Sequence, residues 1–354
     1  MKNIVKKGLR FSALFAASAL LLAGCSDWTE YESLEIKTPT MDEGLYADYV
    51  KNLKAYKAGA HKIAMTSLEN AVDTPVHQAQ RLTALPDSLD VILLNNPDNL
   101  DAEYVREMGE VRKKGTRVGY AISFATIESE WSEMVKADAT LTEEQALTYI
   151  ADRTNEQLGL CDKYRYDGVV FTYVGRSTAS MTEETLAQYS ARQAAFFNTV
   201  SAWRESHKSA FFAYRGKAQY LVEESKSLLL DCDYIILETT SASNTSDMTI
   251  AANAALTALA GLSETEPFAP RFIITTETTR YDDEDMIYGY LGTVDANGNA
   301  ERSIRGGAVW VGQPSDFTRA GMLILNAQYD YYDNTPIYFH LREAIDIMNP
   351  SPKN

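Results

Sequence analysis

The sequence predicts a single-domain α/β fold, a (β/α)8 barrel of the TIM type, from three observations. Short apolar strands alternate with helical stretches along most of the chain. A length of 354 residues suits one such barrel, and a hydrophobic fraction of 45% supports a large core. A central strand lies within the segment YDGVVFTYVGR (166–176), which is β-branched and aromatic between an Asp-Gly opening and a closing glycine.

The N-terminal segment predicts targeting rather than fold. A basic start leads into an apolar run from Phe11 to Leu22, too short to span a bilayer, and ends in Leu-Ala-Gly before Cys25. This is the pattern of a bacterial lipoprotein signal, in which the Cys25 sulfur takes the lipid; a plain secretory signal is the alternative. We therefore expect a signal peptide over 1–24 and a lipidated acidic tether over 25–43.

The tether resembles the acidic export tag of Bacteroidetes lipoproteins, although any solvated linker is similarly acidic. The resemblance implies a lipid-anchored protein of the outer membrane, exposed at the cell surface. Residues 44–349 are expected to form the barrel, and residues 350–354 a short tail. Without the leader, 29 basic residues stand against 49 acidic ones, so nucleic acid is not expected as a partner.

Cysteine and histidine usage predicts no metal site and no cofactor. Cys161 and Cys232 precede strands that are not neighbours in the predicted barrel, so free thiols are favoured over a disulfide. The four histidines are scattered and form no cluster with metal-ligand spacing.

The predicted strands are short runs rich in β-branched and apolar residues, several bounded by turn residues. In chain order they cover residues 62–66, 88–95, 116–124, 169–174, 209–214, 232–238, 271–276 and 307–311. The helices follow from apolar spacing and capping signals, such as the capping box that opens at Thr142. They are expected over residues 44–59, 98–114, 142–160, 182–206, 249–262, 317–327 and 336–348. An Asn297-Gly298 turn predicts a hairpin-like insertion between strands seven and eight.

Alternation of side chains along the central strand decides which residues reach the barrel interior. We expect Val170, Thr172 and Val174 to point inward, and Phe171 and Tyr173 to pack against the outer helices. A ligand site is expected at the C-terminal ends of the strands. Glu128 and Glu130, after the third strand, are interpreted as a solvated loop.

The central strand resembles the fourth barrel strand of glycoside hydrolase family 18, the chitinases and endo-β-N-acetylglucosaminidases. That family has Asp-Gly-x-Asp-x-Asp-x-Glu at this place. Here Asp167 takes the first position, and Val170, Thr172 and Val174 stand where two aspartates and the catalytic glutamate are found. The resemblance implies that the family's substrate-assisted mechanism is not available, because none of these three side chains transfers a proton.

Two further strands carry the resemblance. DYIILETTS (233–241) resembles the family's Asp-Tyr-Ile-x-x-Met-x-Tyr-Asp and places Glu238 at the inward methionine position. Gly306 to Trp310 resembles the final strand, which implies that Trp310 stacks under a sugar; a purely structural Trp310 is the alternative. Glu238 and Glu277 are either a relocated acid/base pair or ligands of sugar hydroxyls and nearby arginines. The expected glycan-binding residues are Trp310, Tyr214, Arg215, Glu238, Glu277, Asn95, Arg176 and Gln313, with a tyrosine platform at Tyr281, Tyr288 and Tyr290.

The resemblance thus implies a non-catalytic surface lipoprotein that binds N-acetylglucosamine-containing glycans of the N-glycan type for uptake, in association with a transporter. One alternative is an active endo-acting glycosidase using Glu238 and Glu277, which would release product. Another is a structural lipoprotein of an outer-membrane transporter, which would have no affinity for sugar.

Overall fold

Eight parallel strands close into a barrel, which confirms the predicted fold class. The computed structural model describes residues 42–263, 268–280, 288–332 and 335–350, so Cys25 and nearly all of the predicted tether lie outside the described residues. The chain divides into two units, Met1–Asp48 and Tyr49–Asn354, and the barrel belongs to the second. No helix in the described part of the chain combines the length and apolar character needed to cross a membrane.

Ten strands are present, eight in the barrel and two in a hairpin. They are β1 Ile63–Leu68, β2 Val91–Leu94, β3 Arg117–Ser123, β4 Gly168–Tyr173, β5 Phe211–Gly216, β6 Tyr234–Leu237, β7 Arg271–Glu277, β8 Tyr290–Val294, β9 Ala300–Arg302 and β10 Thr318–Leu325. Around the barrel the order is β1-β10-β7-β6-β5-β4-β3-β2, and every pairing is parallel.

Nine α-helices lie within the described ranges. They are α1 Glu43–Ala58, α2 Ala102–Lys113, α3 Phe124–Ala137, α4 Glu143–Tyr164, α5 Glu183–Ser206, α6 Glu223–Lys226, α7 Thr245–Leu259, α8 Ser303–Gly312 and α9 Phe339–Met348. The capping box predicted at Thr142 is present, with Gln145 as its second member. The segment interpreted as a loop around Glu128 and Glu130 is helix α3, so that interpretation was wrong.

The hairpin between the seventh and eighth barrel strands is confirmed. β8 and β9 are antiparallel, and the Asp295 backbone N–H donates to the Asn299 carbonyl across the turn. Gly298 has a φ of +82°, a left-handed conformation that glycine adopts without steric cost.

The prediction placed the last barrel strand in the wrong segment of the chain. Residues 307–311, expected as the last strand, lie in α8, and residues 317–327, expected as a helix, contain β10. A short apolar run fits a buried strand and a buried helix equally well, and both segments are such runs. Strand pairing decides between the two segments. Thr318–Leu325 pairs with both β1 and β7 and so closes the barrel.

The core has an inner and an outer part, and β4 contributes to both. Val170 belongs to the cluster inside the barrel, whereas Phe171 and Tyr173 pack against the outer helices. Phe171 meets Phe197 of α5, and Tyr173 meets Phe124 of α3, with ring centroids 5.7 and 4.8 Å apart. The predicted alternation along this strand is therefore correct.

Candidate functional site

The inward face of β4 carries no acid at its C-terminal end. Thr172 lies beside Ser123 of β3 and Arg215 of β5, and both Thr172 and Val174 are half-buried. No Asp or Glu occurs between Val169 and Met181, so no small change of register would bring one to this strand end. Neither a valine nor a threonine can serve as a general acid at neutral pH.

Asp167 lies at the opposite, N-terminal end of β4 and has a structural role. Its carboxylate accepts from the Arg112 guanidinium at 2.8 Å and from the Val118 backbone N–H at 2.7 Å. These bonds tie α2 and β3 to the start of β4. The residue that matches the first family position is thus remote from the strand ends where a ligand is expected.

Glu238 lies just beyond β6 and forms an ion pair with a residue of the neighbouring strand β5. Arg215 at the end of β5 donates to its two carboxylate oxygens at 2.8 and 3.2 Å, and the Thr240 hydroxyl donates at 2.9 Å. The side chains of the pair are less than one-fifth exposed. Oε1 of Glu238 thus accepts two hydrogen bonds from the protein and Oε2 accepts one, which leaves Oε2 able to accept another.

Glu277 ends β7 and is also held by an arginine. Its Oε1 accepts from Arg280 and from the Asn326 amide, each at 2.9 Å. The Glu277 hydrogen bond raises the pKa of Arg280, whose guanidinium lies 3.6 Å from the centre of the Tyr288 ring. The Glu277 carboxylate, the Arg280 guanidinium and the Tyr288 ring thus lie together at this part of the mouth.

A polar chain extends from Glu277 to the ends of β10, β2 and β1. The Asn95 amide donates to Asn326 Oδ1 at 3.4 Å and to Glu69 at 2.9 Å, and Asn96 donates to the other Glu69 oxygen at 3.1 Å. Glu69 and Asn95 are exposed, and Asn326 is half-buried. These groups offer the mixed donors and acceptors that bind sugar hydroxyls.

Glu69 and Asn326 were missed from the sequence. The first strand was predicted to end at residue 66, which kept Glu69 away from the mouth, and Asn326 fell inside a wrongly predicted helix. An acidic and amide run directly after an apolar strand, Glu69-Asn70, was the available signal.

A cavity of about 360 Å³ opens beside Val174, between the end of β4 and helices α3 and α5. Arg176 and Tyr189 line it, together with Glu128 and Arg192. Arg192 forms ion pairs with Glu128 at 3.2 Å and with Glu143 at 2.6 Å, and the Glu143 hydrogen bond raises the pKa of Arg192. Arg176, by contrast, is exposed and forms no ion pair with any described residue.

Trp310 does not lie at the mouth, which corrects the prediction made for it. It is on α8 and 3% exposed, its indole N–H donates to Thr249 of α7 at 2.9 Å, and Arg319 lies 4.1 Å from its ring centre. Gln313 caps the C-terminus of the same helix. It therefore precedes the N-terminal end of β10 and does not follow the C-terminal end of a barrel strand. The misplaced last strand caused both errors, because it assigned these residues to the C-terminal end of the barrel.

Tyr214 is also excluded from the mouth. It is fully buried on the outer face of β5, and its hydroxyl donates to the Tyr173 carbonyl at 2.7 Å. Alternation along β5 directs Arg215 inward and Tyr214 outward. Of the predicted tyrosine platform, Tyr288 is 41% exposed, Tyr290 is half-buried, and Tyr281 lies outside the described residues.

Cys161 and Cys232 are free, as predicted. Cys161 is buried on α4, and this burial raises the pKa of its thiol to about 12, so the reactive thiolate is scarce at neutral pH. Within the described ranges, no three His, Cys, Asp or Glu side chains converge as metal ligands would.

The chain matches known proteins in sequence and in structure. A family model described as glycoside hydrolase family 18, BT1044-like, matches residues 29–347. The apo structure of endo-β-N-acetylglucosaminidase from Cordyceps militaris has a TM-score of 0.55 at 14% identity, covering 86% of this chain and 96% of that chain. A selenomethionine-labelled glutamate-to-glutamine variant of BT1044 from Bacteroides has a TM-score of 0.57 at 18% identity, covering 88% and 94%. No curated protein matches the chain. At these identities the structural likeness shows the fold alone.

Proposed function

The chain belongs to glycoside hydrolase family 18, in its BT1044-like group, and from this premise we propose that it is a non-catalytic protein that binds glycans at the mouth of its barrel. One observation carries the proposal: neither Thr172, near the end of β4, nor Val174, just beyond it, carries a carboxylate. A barrel that hydrolyses glycosidic bonds needs an acid within reach of the leaving oxygen. A barrel that only binds needs no such group.

Two acidic residues at the mouth could take the place of that acid, but their contacts suit binding better. Glu238 is held by Arg215, and Glu277 by Arg280. A general acid must face the leaving oxygen, whereas each of these carboxylates is engaged by a guanidinium of the protein itself. Carboxylates fixed in this way accept hydrogen bonds from sugar hydroxyls, and the chain from Glu69 through Asn95 to Asn326 extends the polar surface.

The ligand class we propose is a glycan that contains N-acetylglucosamine, of the N-glycan type. The relative from Cordyceps militaris is an endo-β-N-acetylglucosaminidase, which supports this class by analogy of fold. The cavity of about 360 Å³ beside Val174 is within the size range of small-molecule sites and suits one branch of such a ligand.

Calorimetric titration of the purified protein with N-glycans and chitooligosaccharides tests this proposal, together with mass spectrometry of each mixture after prolonged incubation. We expect binding without new products. Asn326→Ala and Asn95→Ala each remove a side chain of the polar chain, so the dissociation constant should rise about three- to tenfold. Asn253→Ala, on the exposed outer face of α7, is the matched control and should leave the affinity unchanged.

An active glycosidase is the second candidate, because Glu238 and Glu277 lie at inward positions of neighbouring strands at the mouth. It predicts released oligosaccharide that disappears in both Glu238→Gln and Glu277→Gln. Such turnover would contradict the non-catalytic proposal. A structural lipoprotein of an outer-membrane transporter predicts no affinity for any sugar in the panel.

We also propose that the protein is anchored by lipid at Cys25 to the outer membrane, faces the cell surface and acts with a glycan transporter. The basic leader, the apolar run and the residues Leu22 to Cys25 support this location. Incorporation of labelled palmitate into the protein, and its loss in Cys25→Ala, tests the anchor. Palmitate retained in the variant would contradict it.

A further inference from the structure

A second cavity, of about 450 Å³, lies at the opposite end of the barrel from the mouth. The starts of the neighbouring strands β1, β10 and β7 line it, together with the end of α9. Its charged side chains are Lys62, Arg319 and Arg271, with His61 at the edge. No carboxylate is among the residues that line it.

These three cations form no ion pair with any carboxylate of the described residues. Acidic residues outnumber basic ones in this chain, 49 to 33, so the lack of a partner does not come from a shortage of carboxylates. Six other arginines near the barrel are paired with Asp or Glu, namely Arg81, Arg112, Arg153, Arg192, Arg215 and Arg280. Arg176 and Arg204 have no ion pair with a described residue, and Arg204 bonds to backbone carbonyls instead.

The three side chains bond only to neutral groups. Lys62 Nζ donates to the Arg319 carbonyl at 2.7 Å, Arg319 donates to the Trp310 carbonyl at 2.6 Å, and Arg271 donates to the Tyr234 hydroxyl at 3.0 Å. Arg319 Nε is buried and has no hydrogen-bond partner. Buried donors of this kind are ordinarily satisfied, so the cluster has unused capacity for an acceptor.

Burial disfavours the charged forms of Lys62 and Arg319. Desolvation lowers the pKa of Lys62, and the nearby Arg319 charge lowers it further; desolvation also lowers the pKa of Arg319, opposed by Asp316. The buried Asp90, which contacts His61 of the cavity lining, is already occupied, because its oxygens accept from His61 Nε2 and from the Ala64 backbone N–H, each at 2.9 Å. An anion from outside would relieve the mutual repulsion of the cations.

We propose that this cavity binds the phosphate group of a small organic phosphate, with Lys62, Arg271 and Arg319 as its ligands. Guanidinium groups match the oxygens of phosphate, and a cavity of this volume accommodates the organic part as well. A soluble phosphomonoester and a phospholipid head group present the same chemistry. The site is separate from the proposed glycan site and does not depend on it.

Titration calorimetry on the purified protein tests the site with inorganic phosphate, glycerol 3-phosphate and, as the uncharged probe, glycerol. Vesicles of phosphatidylcholine with and without phosphatidylglycerol form the lipid arm. We expect binding of glycerol 3-phosphate or of the phosphatidylglycerol vesicles, and none of glycerol. The arm that binds identifies the source, and binding to the acidic vesicles is informative because the protein is itself acidic.

Arg271→Gln removes an exposed ligand at the first position of β7 and should weaken binding about tenfold or more. Lys62→Gln is the second variant, in case the first does not fold. Arg106→Gln, on the exposed side of α2, is the matched control and should leave binding unchanged. A rise in melting temperature of the unmodified protein in phosphate, compared with chloride of equal ionic strength, should accompany binding. Absence of binding in both arms, or equal binding by Arg271→Gln and the unmodified protein, would overturn the proposal.

Discussion

At the residue scale, chemical type alone did not decide the role of a side chain in this protein. Trp310 has the type expected under a sugar ring, yet its indole is enclosed between α7, α8 and the start of β10. Asn326 has no distinctive type, yet it joins Asn95 to Glu277 at the mouth. The difference lies in position along a strand or helix.

Replacing Trp310 with Ala should lower the free energy of unfolding by about 3–5 kcal/mol, because it removes a 3% exposed indole and leaves a cavity. Trp310→Phe, which keeps an aromatic ring but loses the hydrogen bond to Thr249, should cost less. Urea denaturation measures both. Glycan affinity of the folded variants should be unchanged, and a selective loss of affinity would return Trp310 to the binding site.

The His61 side chain makes the stability depend on pH. Its hydrogen bond to Asp90 raises the pKa of His61, opposed by burial, and the bond to the Gly59 carbonyl adds to the rise. A raised pKa gives a stabilisation that is complete below the ordinary pKa of about 6.5 and is lost as pH rises through the higher value in the folded protein.

The unmodified protein should therefore exceed His61→Gln in unfolding free energy by more at about pH 6 than at about pH 9. Denaturant titrations of both proteins at the two pH values measure this. A difference that is the same at both would show that His61 acts by packing alone.

At the element scale, the start of β4 depends on a close backbone contact with β5 as well as on the apolar residues of β4. A Cβ added at Gly168, where φ is +157°, would lie 1.9 Å from the Phe211 carbonyl oxygen of β5. No rotation of a side chain can relieve that contact, since the position of a Cβ is fixed by its own backbone and the oxygen belongs to the backbone of β5. The Asp-Gly opening of this strand is therefore a requirement of barrel closure.

Gly168→Ala should destabilise the protein by about 3 kcal/mol or more, because the two strands must separate to admit the methyl group. Gly159→Ala is the matched control: this glycine is exposed within α4, and nothing lies within 4 Å of the added carbon. It should stabilise the protein by about 0.5–1 kcal/mol. Thermal unfolding of both variants checks the contrast, and similar losses would contradict the explanation.

At the scale of the whole molecule, the barrel is closed by contacts between its first and last elements. β1 pairs with β10, and Asn349 after α9 holds the residue that precedes β1. The Asn349 amide accepts from the Lys62 backbone N–H at 2.7 Å and donates to the Lys62 carbonyl at 2.9 Å. Residues just before the first strand and just after the last helix are thus joined across 287 positions of sequence.

Asn349→Ala should lower the free energy of unfolding by about 1–3 kcal/mol, because two partly buried backbone groups of Lys62 lose their partner. Asn198→Ala, at an exposed position of α5, is the control and should show no loss. Equilibrium denaturation in urea provides the comparison. Equal stability of the two variants would mean that water replaces the Asn349 amide without cost.

The sequence by itself determined the barrel, the inward and outward sets of β4, the hairpin and the missing acid. These follow from local properties, namely the period of two along a strand, capping residues and the turn chemistry of Asn297-Gly298. They do not require knowledge of which strands pair.

The tertiary structure alone decided that β10 rather than residues 307–311 closes the barrel, and hence where Trp310 lies. It also brought together Asn95, Asn326 and Glu277 at the mouth, and Lys62, Arg271 and Arg319 at the other end. The physical reason is that each group joins residues from strands far apart in sequence. Their proximity depends on the pairing order around the barrel, which a short apolar run does not specify.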